Sequence, residues 1–121
     1  MLRLIGALLL FALASPVVLA ADENLVIRTA TGEHGFTVEI AATPQARASG
    51  LMRRAALTEN TGMLFDFGKV APVTMWMKDT LIPLDMLFIR ADGAIANIEQ
   101  RTVPQSLAAI PSAGAILAVL E

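Results

Sequence analysis

The feature that most restricts the fold is strict two-residue alternation in a chain that carries only one clear helix start. Phe36, Val38 and Ile40 fall on one face of a short run, with Thr37 and Glu39 on the other. Successive side chains of a strand point to opposite faces, so this pattern predicts a strand half-buried against a core. A β-branched run at residues 25–28 precedes it across the turn-rich residues 31–35, which predicts a first hairpin with His34 in its turn. Met63, Phe65 and Phe67 repeat the alternation, and residues 68–72 read as a loop. Residues 73–78 and 84–89 are strand-like, the second apolar on both faces apart from Asp85, as a central strand would be. Asp92-Gly93 signals a tight turn into residues 95–99. Residues 102–111 read as a loop, and residues 115–120 as a last apolar strand. Thr43-Pro44 supplies an N-cap and a proline at the first helical position, and Gly50 a natural stop, so residues 44–49 are predicted helical. Seven strands and so little helix predict a mainly β fold, a small antiparallel β-sandwich or barrel with one or two short helices.

Residues 1–20 stand apart from this pattern. Arg3 gives a positive start, residues 4–13 an apolar core, and Val18-Leu19-Ala20 a small-residue cleavage signal after Ser15 and Pro16. The apolar stretch is too short to span a bilayer and no stop-transfer pattern follows, so it reads as a secretory signal peptide. Residues 21–121 then form a single β domain that is exported, periplasmic or secreted, with no stable membrane insertion after cleavage. Arg3 is the only charged residue of the leader, so its removal takes the formal charge from −2 to −3. An acidic domain with scattered charges has no electrostatic footprint for nucleic acid. The chain has no cysteine, so it is held by its core without disulfides and has no Cys for lipid attachment.

Residues 75–85 hold the best candidate site. Read as a hairpin closed by residues 80–83, this stretch places Lys78 opposite Asp85, Met77 opposite Met86 and Trp76 opposite Leu87. A lysine beside a carboxylate either binds an anion, takes part in acid–base chemistry, or serves as a cross-strand ion pair. Trp76, the single tryptophan, shares the predicted face of Lys78 and is either a platform for a ring-shaped ligand or a large core residue. Arg47, Arg53 and Arg54 put three guanidiniums in one segment, able to grip a carboxylate or phosphate, or to pair with Asp66 or Glu59.

Met52, Met63, Met75, Met77 and Met86 are soft donors of the kind that suit Cu(I), but no His or Cys is placed to complete a site, and core packing is the simpler use of them. The chain has no nucleophile elbow, no His-Glu-x-x-His and no phosphate-cradling loop. Its one histidine makes a Ser–His–Asp triad improbable. No catalytic residue, metal site or cofactor is assigned on these grounds.

Three ordered blocks, Gly50-Leu51-Met52-x-Arg54, Gly62-Met63-Leu64-Phe65-x-Phe67 and Trp76-Met77-Lys78-x-Thr80-x-x-Pro83-Leu84-Asp85, resemble the bacterial and archaeal family called domain of unknown function 192. The resemblance runs over residues 36–121. It implies a small, mainly β protein, often exported, with no established activity. Two departures stand out. The family usually has Asn where this chain has Asp79, which adds a charge able to divert Lys78 from Asp85. The block Val119-Leu120-Glu121 is normally followed by further residues that include a Gly-Asp segment, so the chain is expected either to be short or to lack one or two terminal strands, leaving an open sheet edge.

The functional expectation is a non-catalytic domain that binds a small anionic or sugar-like ligand, or an envelope protein, through Trp76, Lys78, Asp85, Arg47, Arg53 and Arg54. The alternative is a hydrolase or lyase using Lys78 and Asp85. Cu(I) binding through methionines is the third reading.

Overall fold

The computed structural model describes residues 22–121; the expected signal peptide lies outside them. The elements are β1 (Glu23–Thr29), β2 (Gly32–Ala41), α1 (Pro44–Ser49), β3 (Thr61–Met75), β4 (Met86–Ile89), β5 (Ile95–Glu99) and β6 (Ile110–Leu120). They form a mainly β fold in which one six-stranded sheet, ordered β1-β2-β3-β6-β4-β5, curls into a half-barrel. All pairs are antiparallel except β2 with β3. A parallel pair needs a long crossover, and the segment containing α1 supplies it.

The local signals explain most boundaries. β1 and β2 form the expected hairpin, with Leu25 opposite Phe36 and Ile27 opposite His34. His34 is therefore in the strand rather than its turn, exposed, with Nε2 3.0 Å from the Thr29 hydroxyl and 3.1 Å from that of Thr31. Thr43 Oγ1 accepts the Ala46 N–H at 3.1 Å and the Gly50 N–H donates to the Ala46 carbonyl at 2.9 Å, so both ends of α1 are capped. A Cβ on Gly50 would come within 2.9 Å of the Phe65 ring, which fixes a glycine where the helix meets β3. Arg90 and Ala94 close the β4–β5 turn around Asp92-Gly93.

The alternation of β2 and β3 buries Val38, Met63 and Phe65. Met63 and Phe65 pack with Leu51, Met77, Leu84, Met86, Phe88, Ile116 and Val119 on one face of the sheet. Burial of such side chains contributes about 1.5–3 kcal/mol each, which offsets the absence of disulfides.

Two expectations need correction. Residues 68–72 do not separate two strands: β3 runs through them, with register shifts against β6 between Asp66 and Ala71 and between Pro72 and Thr74. Such irregularities bend a strand and increase its twist, and here a single long strand replaces two short ones. The hairpin over residues 75–85 does not form. β3 ends at Met75, and residues 76–85 are a loop with a turn at Lys78-Asp79. Its backbone pairs with the segment between β5 and β6 instead. The Met77 N–H donates to the Ser106 carbonyl (3.0 Å), the Thr102 N–H to the Leu84 carbonyl (2.9 Å), and the Gln105 N–H to the Thr80 carbonyl (2.9 Å). Pro83 has no N–H for a ladder, and Asp79 adopts φ +51, a left-handed conformation that Asp and Asn tolerate better than most residues.

Candidate functional site

The loop over residues 76–85 crosses the structure beside α1 and the outer half of β3, and together they enclose a cleft of about 290 Å³. Phe65, Phe67 and Met75 of β3 form its apolar wall, with Leu51 and Met52 after α1 opposite. Arg47, Trp76, Lys78 and Thr80 bring the polar groups, and Glu121, directly after β6, completes the lining.

Each group is held by a specific contact. Arg47 donates Nη1 hydrogen bonds to the Ala42 and Asp66 carbonyls, both at 2.9 Å, and its guanidinium lies 5.6 Å from the Phe67 ring centre. These contacts tie α1 to β3. Trp76 is 49% exposed, and Lys78 Nζ stands 5.3 Å from its ring centre, a cation–π distance. Thr80 is buried and its hydroxyl donates to the Lys78 carbonyl at 3.0 Å, bracing the turn that carries the lysine. Among the described residues the ion pairs are Arg28–Glu33 and Arg54–Glu39; neither involves Lys78.

Glu121 is the residue that sequence reasoning missed. Its backbone exchanges two hydrogen bonds with Met63, both 2.9 Å. Gly62 makes this approach possible, because a Cβ there would lie 2.2 Å from the Glu121 carbonyl oxygen. The residue lines both the cleft and a second one of about 560 Å³ bounded by Ile27, Phe36, Leu57, Ile82 and Asp85. Burial pushes its carboxyl up from an ordinary 4.5 to about 7. The available signal was a lone acid ending the apolar run of residues 115–120.

The six residues singled out from sequence divide accordingly. Arg47, Trp76 and Lys78 meet at the cleft; Arg53, Arg54 and Asp85 do not line it. Arg54 pairs with the Glu39 carboxylate on a partly exposed surface, and Arg53 is exposed, its backbone N–H donating to the Asp79 carbonyl at 2.8 Å. Asp85 sits in the second cleft, where Oδ1 accepts the Arg101 backbone N–H at 2.9 Å. The expected Lys78–Asp85 pair is therefore not made, because the loop that carries both residues has no hairpin register. Asp79 does not capture Lys78 either.

Of the methionines, Met63, Met77 and Met86 are buried in the core, with the Met77 sulfur 3.1 Å from the Thr102 hydroxyl oxygen. Met52 and Met75 alone of the five reach the cleft, and two thioethers are a sparse donor set for Cu(I). Among the described residues no cluster of three His, Cys, Asp or Glu side chains is able to hold a metal. No described helix is long and apolar enough to cross a membrane.

The sequence model of the DUF192 family, described as "Uncharacterized ACR, COG1430", matches residues 26–121. No curated protein matches the chain at a significant level. Two crystal structures are similar to it. One, from Sinorhizobium meliloti 1021, is called a "putative transcription regulator"; it is 48% identical, with a TM-score of 0.80 over 84% of this chain and 79% of that one. The other, a protein of unknown function from Novosphingobium aromaticivorans DSM 12444, is 36% identical, with a TM-score of 0.81 over 88% of this chain and 76% of that one.

Proposed function

The chain belongs to the DUF192 family, and for this member we propose a binding role: it is an exported domain that takes a small, ring-shaped ligand carrying an anionic group, such as a sugar phosphate or sugar acid. One observation carries the reading. Lys78 has no carboxylate partner among the described ion pairs and stands over the half-exposed Trp76 at the mouth of a cleft whose wall is aromatic and thioether. An indole face suits a ring, and an ammonium beside it suits an anion. The cleft, about 290 Å³, lies at the small end of ligand sites, the size for one ring rather than a chain.

Catalysis by Lys78 and Asp85 loses its basis, since the two residues line different clefts and a base needs its orienting partner within hydrogen-bond reach. DNA binding, which the description of the S. meliloti relative suggests, finds no support in a chain of net charge −2 with two of its arginines already paired to acids. Export rests on the composition of residues 1–20, and the mass of the protein recovered from the periplasm tests it.

Trp76 is the only tryptophan, so its fluorescence reports the site directly. Titration with glucose 6-phosphate, glucuronate and glucose is expected to give saturable changes with the two anions and little with glucose. Lys78→Met is expected to weaken the anions about tenfold or more with an unchanged melting temperature. A protein whose fluorescence and calorimetric heats stay flat with both anions does not have this function.

A further inference from the structure

Glu121 is a second ionisable group of the cleft, besides the basic residues Arg47 and Lys78. It is pinned at the end of β6 by its paired hydrogen bonds to Met63, with Gly62 leaving room for its carbonyl. It stands where the two clefts adjoin. No ion pair or side-chain hydrogen bond among the described residues engages its carboxyl. The cations sharing its cleft are otherwise employed: Arg47 is held by two carbonyls and the Phe67 ring, and Lys78 lies over Trp76. The second cleft brings Asp85, whose Oδ1 is taken by the Arg101 N–H. The β-strands facing Glu121 offer Ile27, Phe36, Phe65 and Met75, none of them titratable. The carboxyl is partly shielded yet not sealed from solvent, so it lies open to a donor carried by a ligand in the cleft.

We infer that the ligand of this cleft is an amino sugar bearing an anionic substituent, with its ammonium on Glu121, its anionic group at Lys78 and its ring against Trp76. The inference rests on the binding role proposed above and adds the cationic half of the ligand. An ammonium forms a charge-assisted hydrogen bond to a carboxylate, roughly twice as strong as one between neutral groups, and a partly water-excluded site strengthens it further. The amine thus distinguishes this ligand from a plain sugar phosphate. Because burial holds the free Glu121 carboxyl at about 7, binding an ammonium favours its ionised form and expels a proton. Affinity then rises as pH approaches about 7 from below.

Calorimetric titration of the purified protein with glucosamine 6-phosphate, glucose 6-phosphate and glucosamine tests this. Glucosamine 6-phosphate is expected to bind about tenfold tighter than glucose 6-phosphate, with a heat that changes with the ionisation enthalpy of the buffer. Glu121→Gln is expected to remove that preference and the proton release while retaining glucose 6-phosphate. Lys78→Met is expected to weaken both phosphates and leave the amine preference intact. Equal binding of the two phosphates to the native protein, or a preference that survives Glu121→Gln, overturns the ammonium assignment while the anion-binding role stands. Failure of both phosphates to bind overturns that role and this inference together. Thermal melts at about pH 5, where the native carboxyl is neutral like the amide, verify that Glu121→Gln is folded.

Discussion

Replacing Glu121 with Gln is expected to make the protein more stable, and only above mildly acidic pH. The carboxyl ordinarily titrates at 4.5, and burial raises it in the folded protein to about 7. Between those values the folded state holds a proton that the unfolded state has released. Stability therefore falls as pH rises through this window: the favourable, neutral form is fully present below about 4.5 and lost once pH passes about 7. A tenfold change in proton affinity corresponds to about 1.4 kcal/mol, so ionisation costs the folded state on the order of 3 kcal/mol. For a domain of this size that is a difference of roughly 10–20 °C in melting temperature. Gln mimics the neutral acid in shape and cannot ionise. Urea denaturation of the two proteins at several pH values from about 5 to about 8 isolates the effect, because every other titrating group is common to both. The variant is expected to match the native protein at the acidic end and to exceed it by about 3 kcal/mol at the alkaline end. Two curves that run parallel across the range would show a carboxyl solvated in the folded state, and would remove the physical basis for its role in the cleft.

Two further substitutions test how the site is held. Gly62→Ala places a methyl 2.2 Å from the Glu121 carbonyl oxygen, so the end of β6 must shift; a loss of about 1–3 kcal/mol in urea denaturation is expected, with weakened ligand binding. Thr102→Val removes a buried hydroxyl that donates to the Leu84 carbonyl at 2.9 Å and accepts the Leu84 N–H at 3.2 Å. Stranding that N–H is expected to cost about 1–3 kcal/mol and to shift the emission of Trp76; an unaltered spectrum would separate this contact from the site.

What was legible in the sequence was local. The alternation of Phe36, Val38 and Ile40 marked β2 as a strand, although the β2 residue that joins the Met63 and Phe65 core is Ala41 on its other face; Thr43 and Gly50 bounded α1, and Asp92-Gly93 marked the β4–β5 turn, because each of these is decided by neighbours within a few residues. The parallel pairing of β2 with β3 had no such marker, since a crossover is a property of the whole sheet. Arg47 and Arg54 looked alike as sequence. They were separated by what each meets in the fold, two backbone carbonyls for one and the Glu39 carboxylate for the other. Glu121 did not stand out as a candidate because its place between the two clefts comes from tertiary packing, which no spacing of charged residues reveals.

In the stretch from Met75 to Asp85 the sequence singled out several residues that line one cleft, but not the geometry that brings them there. Several of its residues do line the cleft, but they do not pair across a hairpin. Loop closure within ten residues is entropically cheap, which made a hairpin the natural expectation. Leu84 and Met77 instead bind Thr102 and Ser106, at greater separation in the chain. That choice frees Lys78 from Asp85, turns Met77 into the core and leaves Trp76 exposed. A hairpin would have neutralised the lysine in a structural pair. The longer-range arrangement leaves an ammonium and an indole together at the surface, in a cleft that Glu121 also lines, and the proposed binding role rests on that grouping.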